Sequence, residues 1–220
     1  PAIPLFRFSY KNKAIDFIPN SCNLLQNFHI ANVIGKGGCG VVRQIFRVEQ
    51  SKMLVNGQYE LQFERLAMKL VENEVHFIFK FCSFSSTMRE VEIMRKVDHP
   101  NVLSLVECHN IKSHVIIVVP LMKGGDLLNR IINHDEYRKY LSEEDSKFFF
   151  LQLAMGLKYL HSMGITHRDI KADNLLLSDF GRSPLLKISD FGLAKMHDVM
   201  KTQCGTWSYV GTYVKKNKFV

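Results

Sequence analysis

The hydrophobic pattern changes character once along this chain, near Gly124-Gly125-Asp126, and that change constrains the fold more than any other feature. Before it, FHIANVIG from Phe28, then VVRQIFRVE and ELQFERLAMKLV, are short β-rich runs separated by Gly-containing or polar turns, the pattern of an antiparallel sheet. NGQ at Asn56 to Gln58 suits a hairpin turn between the second and third runs. A helix is predicted over about 86–97, with SST as capping candidates and DHPN as its stop, followed by strands over 102–108 and 115–119. After the change, SEEDSKFFFLQLAMGLKYLHSMG opens on a capping Ser142 with acids in the first turn and closes at Gly164. Its apolar residues Phe149, Leu153, Leu157 and Leu160 recur at helical spacing. Strands first and helices second predict an α+β fold of two lobes. Residues 1–27 hold three of the six prolines and little periodicity, so they read as an N-terminal extension or linker.

Composition narrows the function classes. Hydrophobic residues make up 46% and charged residues 23%, ordinary globular usage with enough apolar material for a core. The longest apolar run, Val115 to Val119, is far shorter than a bilayer requires, so no membrane association is expected. The first residues lack a basic segment followed by an apolar run and a cleavage site, and no signal peptide is expected. The five cysteines (Cys22, Cys39, Cys82, Cys108 and Cys204) are odd in number, scattered and without CxxC spacing. That argues against a disulfide framework or a zinc site and fits a reducing intracellular compartment, cytoplasm or nucleus. The formal charge is +8, but the only dense basic group is Lys215, Lys216 and Lys218. A diffuse basic surface with nonspecific attraction to anions is the better reading than a specific nucleic-acid partner.

Four short motifs carry the chemistry. Gly35-Lys36-Gly37-Gly38-Cys39-Gly40-Val41-Val42 forms a GxGxxGxV string. Alone it is weak, because three such glycines arise by chance with a probability of roughly 0.07 in a chain of this length. Its context is sharper: it joins two strands, whereas a dinucleotide fold needs a strand leading into a helix, and no Lys-Ser/Thr follows as in a P-loop. A hairpin whose bare backbone approaches phosphate oxygens remains. The second motif is Ala67-Met68-Lys69 at the end of the third strand. The third is His167-Arg168-Asp169-Ile170-Lys171-Ala172-Asp173-Asn174, whose five fixed positions (H-R-D-x-K-x-x-N) arise by chance at below about 10⁻⁴. The fourth is Asp190-Phe191-Gly192, sixteen residues after Asn174.

Together, in this order and spacing, the motifs resemble the eukaryotic-type protein serine/threonine kinases over about 28–210. The resemblance implies a small antiparallel β lobe with one helix and the hinge over residues 28–122, then an incomplete, mainly helical large lobe over 123–220. It implies ATP as phosphoryl donor, Mg²⁺ as cofactor and a protein substrate bearing a Ser or Thr acceptor. The Gly35–Gly40 loop, including Lys36, Gly37, Gly38 and Cys39, would cover the phosphates, with Lys69 on the α- and β-phosphates. Glu90, ten residues before Pro100, would pair with Lys69. Asp169 would accept the proton of the substrate hydroxyl, Lys171 would contact the transferring phosphoryl group, and Asn174 and Asp190 would hold Mg²⁺. Val42, Ala67 and Leu176 would sandwich the adenine. Val119 would be the gatekeeper, with Pro120, Leu121 and Met122 as the hinge, and Met94, Leu105, His167 and Phe191 would stack into a column linking the lobes.

The resemblance also reaches regulation and specificity. Asp126 matches an acid that binds ribose or a basic substrate side chain, and Asp173 one that faces a substrate Arg, so a basophilic preference is one reading and two solvated acids the other. Arg168 beside Asp169 implies activation by a second kinase acting on the following loop, with Thr202 and Thr206 as phosphosite candidates. Thr206 also resembles the Thr that contacts the catalytic Asp in the serine/threonine branch. GGDL, HRDIKADN and CGTWSYV look most like the calcium/calmodulin-dependent group, nearest the checkpoint kinases with a forkhead-associated domain.

Departures from the family pattern cluster in two places. After Tyr209-Val210 the family continues with Ala-Pro-Glu, where this chain reads GTYVKKNKFV, so the resemblance implies a truncated large lobe and an uncovered lower face on the helix over 142–163. Trp207 stands where Pro is common, and VENEVHFIFKFCSFSSTMR between Lys69 and Glu90 is unusually rich in Phe. Three readings stay open: an active kinase, a catalytically inactive ATP-binding or regulatory module, and a fragment without function of its own.

Overall fold

A computed structural model of the chain describes residues 28–37, 40–53, 59–72, 84–111, 114–133, 141–196 and 206. Strands β1 (Phe28–Gly37), β2 (Gly40–Met53) and β3 (Tyr59–Glu72) precede helix α1 (Phe84–Lys96). Strands β4 (Glu107–Asn110) and β5 (His114–Pro120) complete a five-stranded antiparallel sheet of order β1-β2-β3-β5-β4. Helices α2 (Leu127–Asn133) and α3 (Glu143–Ser162) follow. The two-residue strands β6 (Ile165–Thr166) and β9 (Lys195–Met196) pair with each other, as do β7 (Leu175–Leu177) and β8 (Leu186–Ile188). This is the α+β arrangement expected from the sequence. The NGQ turn, the Phe-rich connection, the N-terminal extension and Trp207 lie outside the described residues.

Alternation along the central strands decides which residues face which core, because successive side chains of a strand point to opposite sides. Ile116 and Val118 of β5 join Phe28, Ile45, Leu66 and Met68 in one buried cluster. Their neighbours Val115 and Ile117 join the larger cluster, which contains Val91, Ile93 and Met94 of α1. On β3 the parity is the same: Leu66 and Met68 face the first cluster, while Ala67, Lys69 and Val71 alternate with them and pair across to Val119, Ile117 and Val115. A fully buried Ile such as Ile116 or Ile117 contributes about 1.5–3 kcal/mol. The polar Lys69 is thereby carried on the face that meets α1.

One expected strand is shorter than predicted. Residues 102–108 were expected to be extended sheet, but only Glu107 and Cys108 of that span enter β4. Val102 instead bridges Ile188 in parallel, with Leu103 N–H donating to Ile188 O (2.9 Å) and Ile188 N–H to Asn101 O (2.9 Å). The backbone of 101–103 is claimed by β8, so apolar composition there served the junction with the large lobe rather than the sheet.

Helix α3 anchors that junction. Ser142 Oγ accepts Asp145 N–H at 3.0 Å, and Glu143, Glu144 and Asp145 complement the positive end of the helix. The helix stops at Met163, followed by Gly164 at φ 70°, a conformation that favours glycine. Its buried line is Phe149, Gln152, Gly156 and Leu160, with Leu153 and Leu157 half-buried beside it. Gly156 is needed for close packing: a Cβ there would sit 2.9 Å from both Asn101 O and Ile188 Cδ1. Gln152 was not anticipated. Its Oε1 accepts from Asn101 Nδ2 (3.0 Å) and Leu186 N–H (2.9 Å), while its Nε2 donates to Pro184 O (3.3 Å). Tyr159 stacks on His99 at 4.9 Å and accepts Asp98 N–H through its hydroxyl at 2.8 Å. DHPN, read in the sequence only as a helix stop, is therefore a clamp onto α3. On the other side of the helix Phe150 (70% exposed), Leu151 (62%) and Met155 (47%) are uncovered.

Candidate active site

Lys69 and Glu90 meet as the sequence spacing predicts. Lys69 Nζ lies 2.8 Å from Glu90 Oε2 and 3.0 Å from Oε1, with Glu90 buried on the inner face of α1. Both carboxylate oxygens are engaged by one ammonium, which fixes the long lysine side chain and the rotation of α1 together. The glycine hairpin is formed by Gly35 opposite Val42, Lys36 opposite Val41 and Gly37 opposite Gly40. Gly38 and Cys39, at its tip, lie outside the described residues. Gly40 has φ 129°, and a Cβ on it would stand 2.0 Å from Leu70 O, so only glycine lets β2 pass β3 this closely.

Ala67 on β3 is buried opposite Val119 on β5, Pro120, Leu121 and Met122, expected to form a hinge, continue from it, and Leu176 on β7 is bridged to Asp126. Asp126 has a role that sequence reading missed. It accepts Asn129 N–H and Asn129 Nδ2 at 2.7 Å each, one on each carboxylate oxygen, and so caps α2. Asp173 is exposed, as a solvated acid would be.

The large-lobe residues converge on Asp169. Its Oδ1 accepts the Thr206 hydroxyl (2.7 Å) and the Thr206 N–H (3.0 Å). Its Oδ2 faces Lys171 Nζ (3.0 Å) and Asn174 Nδ2 (3.1 Å), and Asn174 Nδ2 also reaches Asp169 O (2.8 Å). Lys171 Nζ closes the ring by donating to Thr206 Oγ1 at 2.9 Å. Ser189, which the sequence did not single out, ties the two metal-ligand candidates together: its N–H and hydroxyl both donate to Asn174 O (2.9 and 3.0 Å), and its neighbour is Asp190.

Phe191 is fully buried and meets His167 edge-on at 5.2 Å. Leu105 N–H donates to Met94 O, and Leu105 packs on the same core, so the four expected column residues share one cluster or its margin. A second Asp-Phe-Gly triplet, at Asp179-Phe180-Gly181, went unremarked in the sequence. The structure separates the two: Phe180 is 81% exposed at a hairpin tip, and Asp179 is consumed by Ser178 Oγ and Gly181 N–H.

The family model of the protein kinase domain matches residues 28–214. This chain belongs to the protein kinase domain family. Among its relatives is the ovarian-specific serine/threonine-protein kinase Lok of Drosophila melanogaster, 36% identical over 204 residues that cover 90% of this chain and 39% of the relative. Serine/threonine-protein kinase chk-2 of Caenorhabditis elegans is 30% identical over 218 residues, covering 98% of this chain and 43% of the relative. Calcium/calmodulin-dependent protein kinase type 1 of Macrobrachium nipponense is 36% identical over 135 residues, covering 60% of this chain and 38% of the relative. This kinase domain chain thus spans about two-fifths of the length of these relatives.

Charge in the kinase site follows from this packing. Burial alone would raise the pKa of Asp169, but hydrogen bonds from Thr206 and Lys171 and the nearby Lys171 charge outweigh it, and the carboxyl is held below its ordinary range. Lys171 moves the opposite way: burial would lower it, yet Asp169, with Asp173 and Asp190 further off, holds it above the usual lysine value. His167 is pushed down by burial. Its Nδ1 accepts Asp169 N–H (3.3 Å) while Nε2 lies 2.8 Å from Ser189 O, which fits a neutral ring carrying its proton on Nε2.

Thr206, one of the two phosphosite candidates, donates both its hydroxyl and its N–H to Asp169, and a phosphate there would place a second anion against that carboxylate. Thr202 lies outside the described residues.

Proposed function

We propose that this chain transfers the γ-phosphoryl group of ATP to Ser or Thr hydroxyls of protein substrates. The observation that carries the reading is the closed ring of Asp169, Thr206 and Lys171, with Asn174 bound to Asp169, in a chain that also forms the Lys69–Glu90 pair. Phosphoryl transfer passes through a loose transition state in which alignment and charge neutralisation do most of the catalysis. Asp169, kept ionised, is suited to orient the acceptor hydroxyl and take its proton as the new oxygen–phosphorus bond forms, while the bond from the γ-phosphorus to the β-phosphate oxygen breaks and ADP leaves with that electron pair. Lys171 and Lys69 supply fixed positive charge to the phosphate oxygens.

The donor set fits Mg²⁺. Asn174 commits its NH₂ to Asp169, which leaves Oδ1 as its acceptor atom, and Asp190 is exposed at the adjoining turn. Among the described residues no group of three or more His, Cys, Asp or Glu side chains could hold a metal alone. One carboxylate and one amide oxygen, completed by phosphates and water, is the manner in which Mg²⁺ is usually held. When bound there, Mg²⁺ neutralises charge on the phosphate oxygens.

The finer points follow from the same site. Phosphorylation of Thr202 by an activating kinase, read out by Arg168, is the proposed regulation. A preference for basic substrates rests on Asp126 and Asp173; Asp126 also accepts Asn129 N–H and Nδ2, one on each oxygen, and each oxygen retains a further acceptor site. The scattered cysteines favour an intracellular setting, and no described helix is long and apolar enough to cross a membrane. The test is transfer of labelled γ-phosphate from ATP to Ser-, Thr- and Tyr-containing peptides, run beside thermal unfolding. MgATP at 100 times its dissociation constant should add about 2.7 kcal/mol to the folded state. Labelled Ser or Thr peptide together with an upward shift supports the kinase reading. A shift without transfer would leave a nucleotide-binding module, and neither would overturn both.

A further inference from the structure

The turn that carries Asp190 is gripped from both lobes through two adjacent carbonyls. Arg168, from the large lobe, donates Nε to Leu193 O at 2.6 Å. Arg89, from α1, donates Nη1 to Gly192 O at 3.3 Å. Ser86, three residues earlier on α1, faces the same glycine: a Cβ on Gly192 would lie 3.8 Å from Ser86 Oγ. Asp190 itself adopts φ 62° and accepts Gly192 N–H at 3.4 Å, so displacement of Gly192 is transmitted directly to the Asp190 carboxylate.

Arg89 and Glu90 are consecutive on one helix yet bind different partners. Glu90 holds Lys69 on β3, and Arg89 holds the turn beside Asp190. We propose that Arg89 is a positioning residue that couples the Lys69–Glu90 pair to the placement of Asp190. The proposal rests on the reading of Lys69 as phosphate ligand and Asp190 as metal ligand. A shift of α1 away from the sheet would break both contacts together, so the postures of helix and turn are not independent. The Arg89 side chain is exposed, and its removal opens no cavity in the core. Its effect should therefore fall on geometry rather than on global stability.

The experiment compares Arg89→Ala and Arg89→Lys with the unaltered 220-residue chain. Amide hydrogen exchange without nucleotide comes first. Loss of one hydrogen bond should speed exchange of both α1 and 190–193 by roughly 2- to 10-fold in Arg89→Ala, with β5 unchanged and Arg89→Lys in between. Unchanged exchange, acceleration in α1 alone, or faster exchange throughout the sheet would each overturn the coupling. ATP affinity is then measured with Mg²⁺ and with EDTA. The expected result is a 2- to 10-fold loss for Arg89→Ala with Mg²⁺ and none with EDTA; equal losses in both would sink the link to Asp190. If the unaltered chain binds no MgATP, the nucleotide reading fails, and the exchange comparison alone still decides whether Arg89 couples helix to turn.

Discussion

Thr206 reaches Asp169 twice, donating its hydroxyl at 2.7 Å and its backbone N–H at 3.0 Å to the same Oδ1. One oxygen is thereby fixed, while Oδ2 is turned toward Lys171 and Asn174. Thr206→Ala removes the hydroxyl, leaving Oδ1 held by the backbone N–H alone and Lys171 without its hydroxyl partner. We expect kcat to fall roughly 10- to 100-fold, the usual effect of a misplaced catalytic group, with KM for ATP little changed. Thr206→Ser should restore most of the rate. Steady-state kinetics on a Ser peptide checks this, and a serine variant as slow as the alanine variant would count against hydroxyl positioning.

The two Asp-Phe-Gly triplets give a paired comparison. Asp190→Asn should abolish Mg²⁺-dependent transfer, a loss of roughly 10²-fold or more for a residue acting on transition-state charge. Asp179→Asn should leave the rate within about twofold, because Asp179 only organises its own exposed hairpin. Equal rates for Asp190→Asn and the parent chain would remove Asp190 from the metal role.

Buried His167 makes stability depend on pH. Its folded-state pKa lies below the unfolded value of 6.5 because burial disfavours the imidazolium. The stability it contributes is present in full above pH 6.5 and is lost as pH falls from there through the lower folded value. Urea midpoints measured from neutral pH downward should decline across that window. In His167→Phe the decline should be shallower, and identical slopes would show that other groups control it.

Gly40→Ala tests close approach rather than chemistry. The methyl would overlap Leu70 O in a backbone conformation that L-residues rarely adopt. A cost of about 2–3 kcal/mol is expected, read as a lower denaturation midpoint. Gly125→Ala is the informative control, since a Cβ there meets nothing within 4 Å although φ is also positive at 68°. The difference between the two variants reports the contact with Leu70 O together with the greater backbone strain at φ 129°.

Gln152→Leu replaces a buried amide by an apolar side chain of similar size and strips partners from Asn101 Nδ2, Leu186 N–H and Pro184 O. Asn101 Nδ2 keeps a second acceptor in Leu186 O, so the main cost falls on Leu186 N–H, about 1–3 kcal/mol for an unsatisfied buried group. Thermal unfolding should register it, and an unaltered midpoint would mean that water replaces the lost amide.

The candidate site residues Lys69, Glu90, Asp169, Asn174 and Asp190 were nameable because short motifs with fixed local spacing carry the resemblance to the protein kinases. What escaped were residues whose work is to join distant segments. Gln152 and Asn101 are separated by 51 positions and look like ordinary polar residues until α3 crosses β8. The capping role of Asp126 escaped because a capping carboxylate and a binding carboxylate are the same group in sequence, and the contact with Asn129 appears only in the fold. The shortened β4 arose for a related reason: apolar residues at 102–106 are needed equally by a strand and by a lobe junction, and composition does not say which partner backbone is nearest.

Alternation along β3 has a consequence for inheritance as well as for folding. Deleting or inserting one residue immediately before Lys69 would exchange it with Met68, burying an ammonium among Ile45, Leu66 and Ile116 and presenting a thioether to Glu90. A length change there is tolerable only in steps of two, much as a reading frame tolerates only steps of three. The β2–β3 ladder is irregular between Val48 and Gln50, six residues along β2 from Val42, the partner of that lysine. Natural variation in hairpin length should therefore accumulate on the far side of that bulge, and the segment from Arg65 to Val71 should keep constant length in every descendant that still requires its lysine.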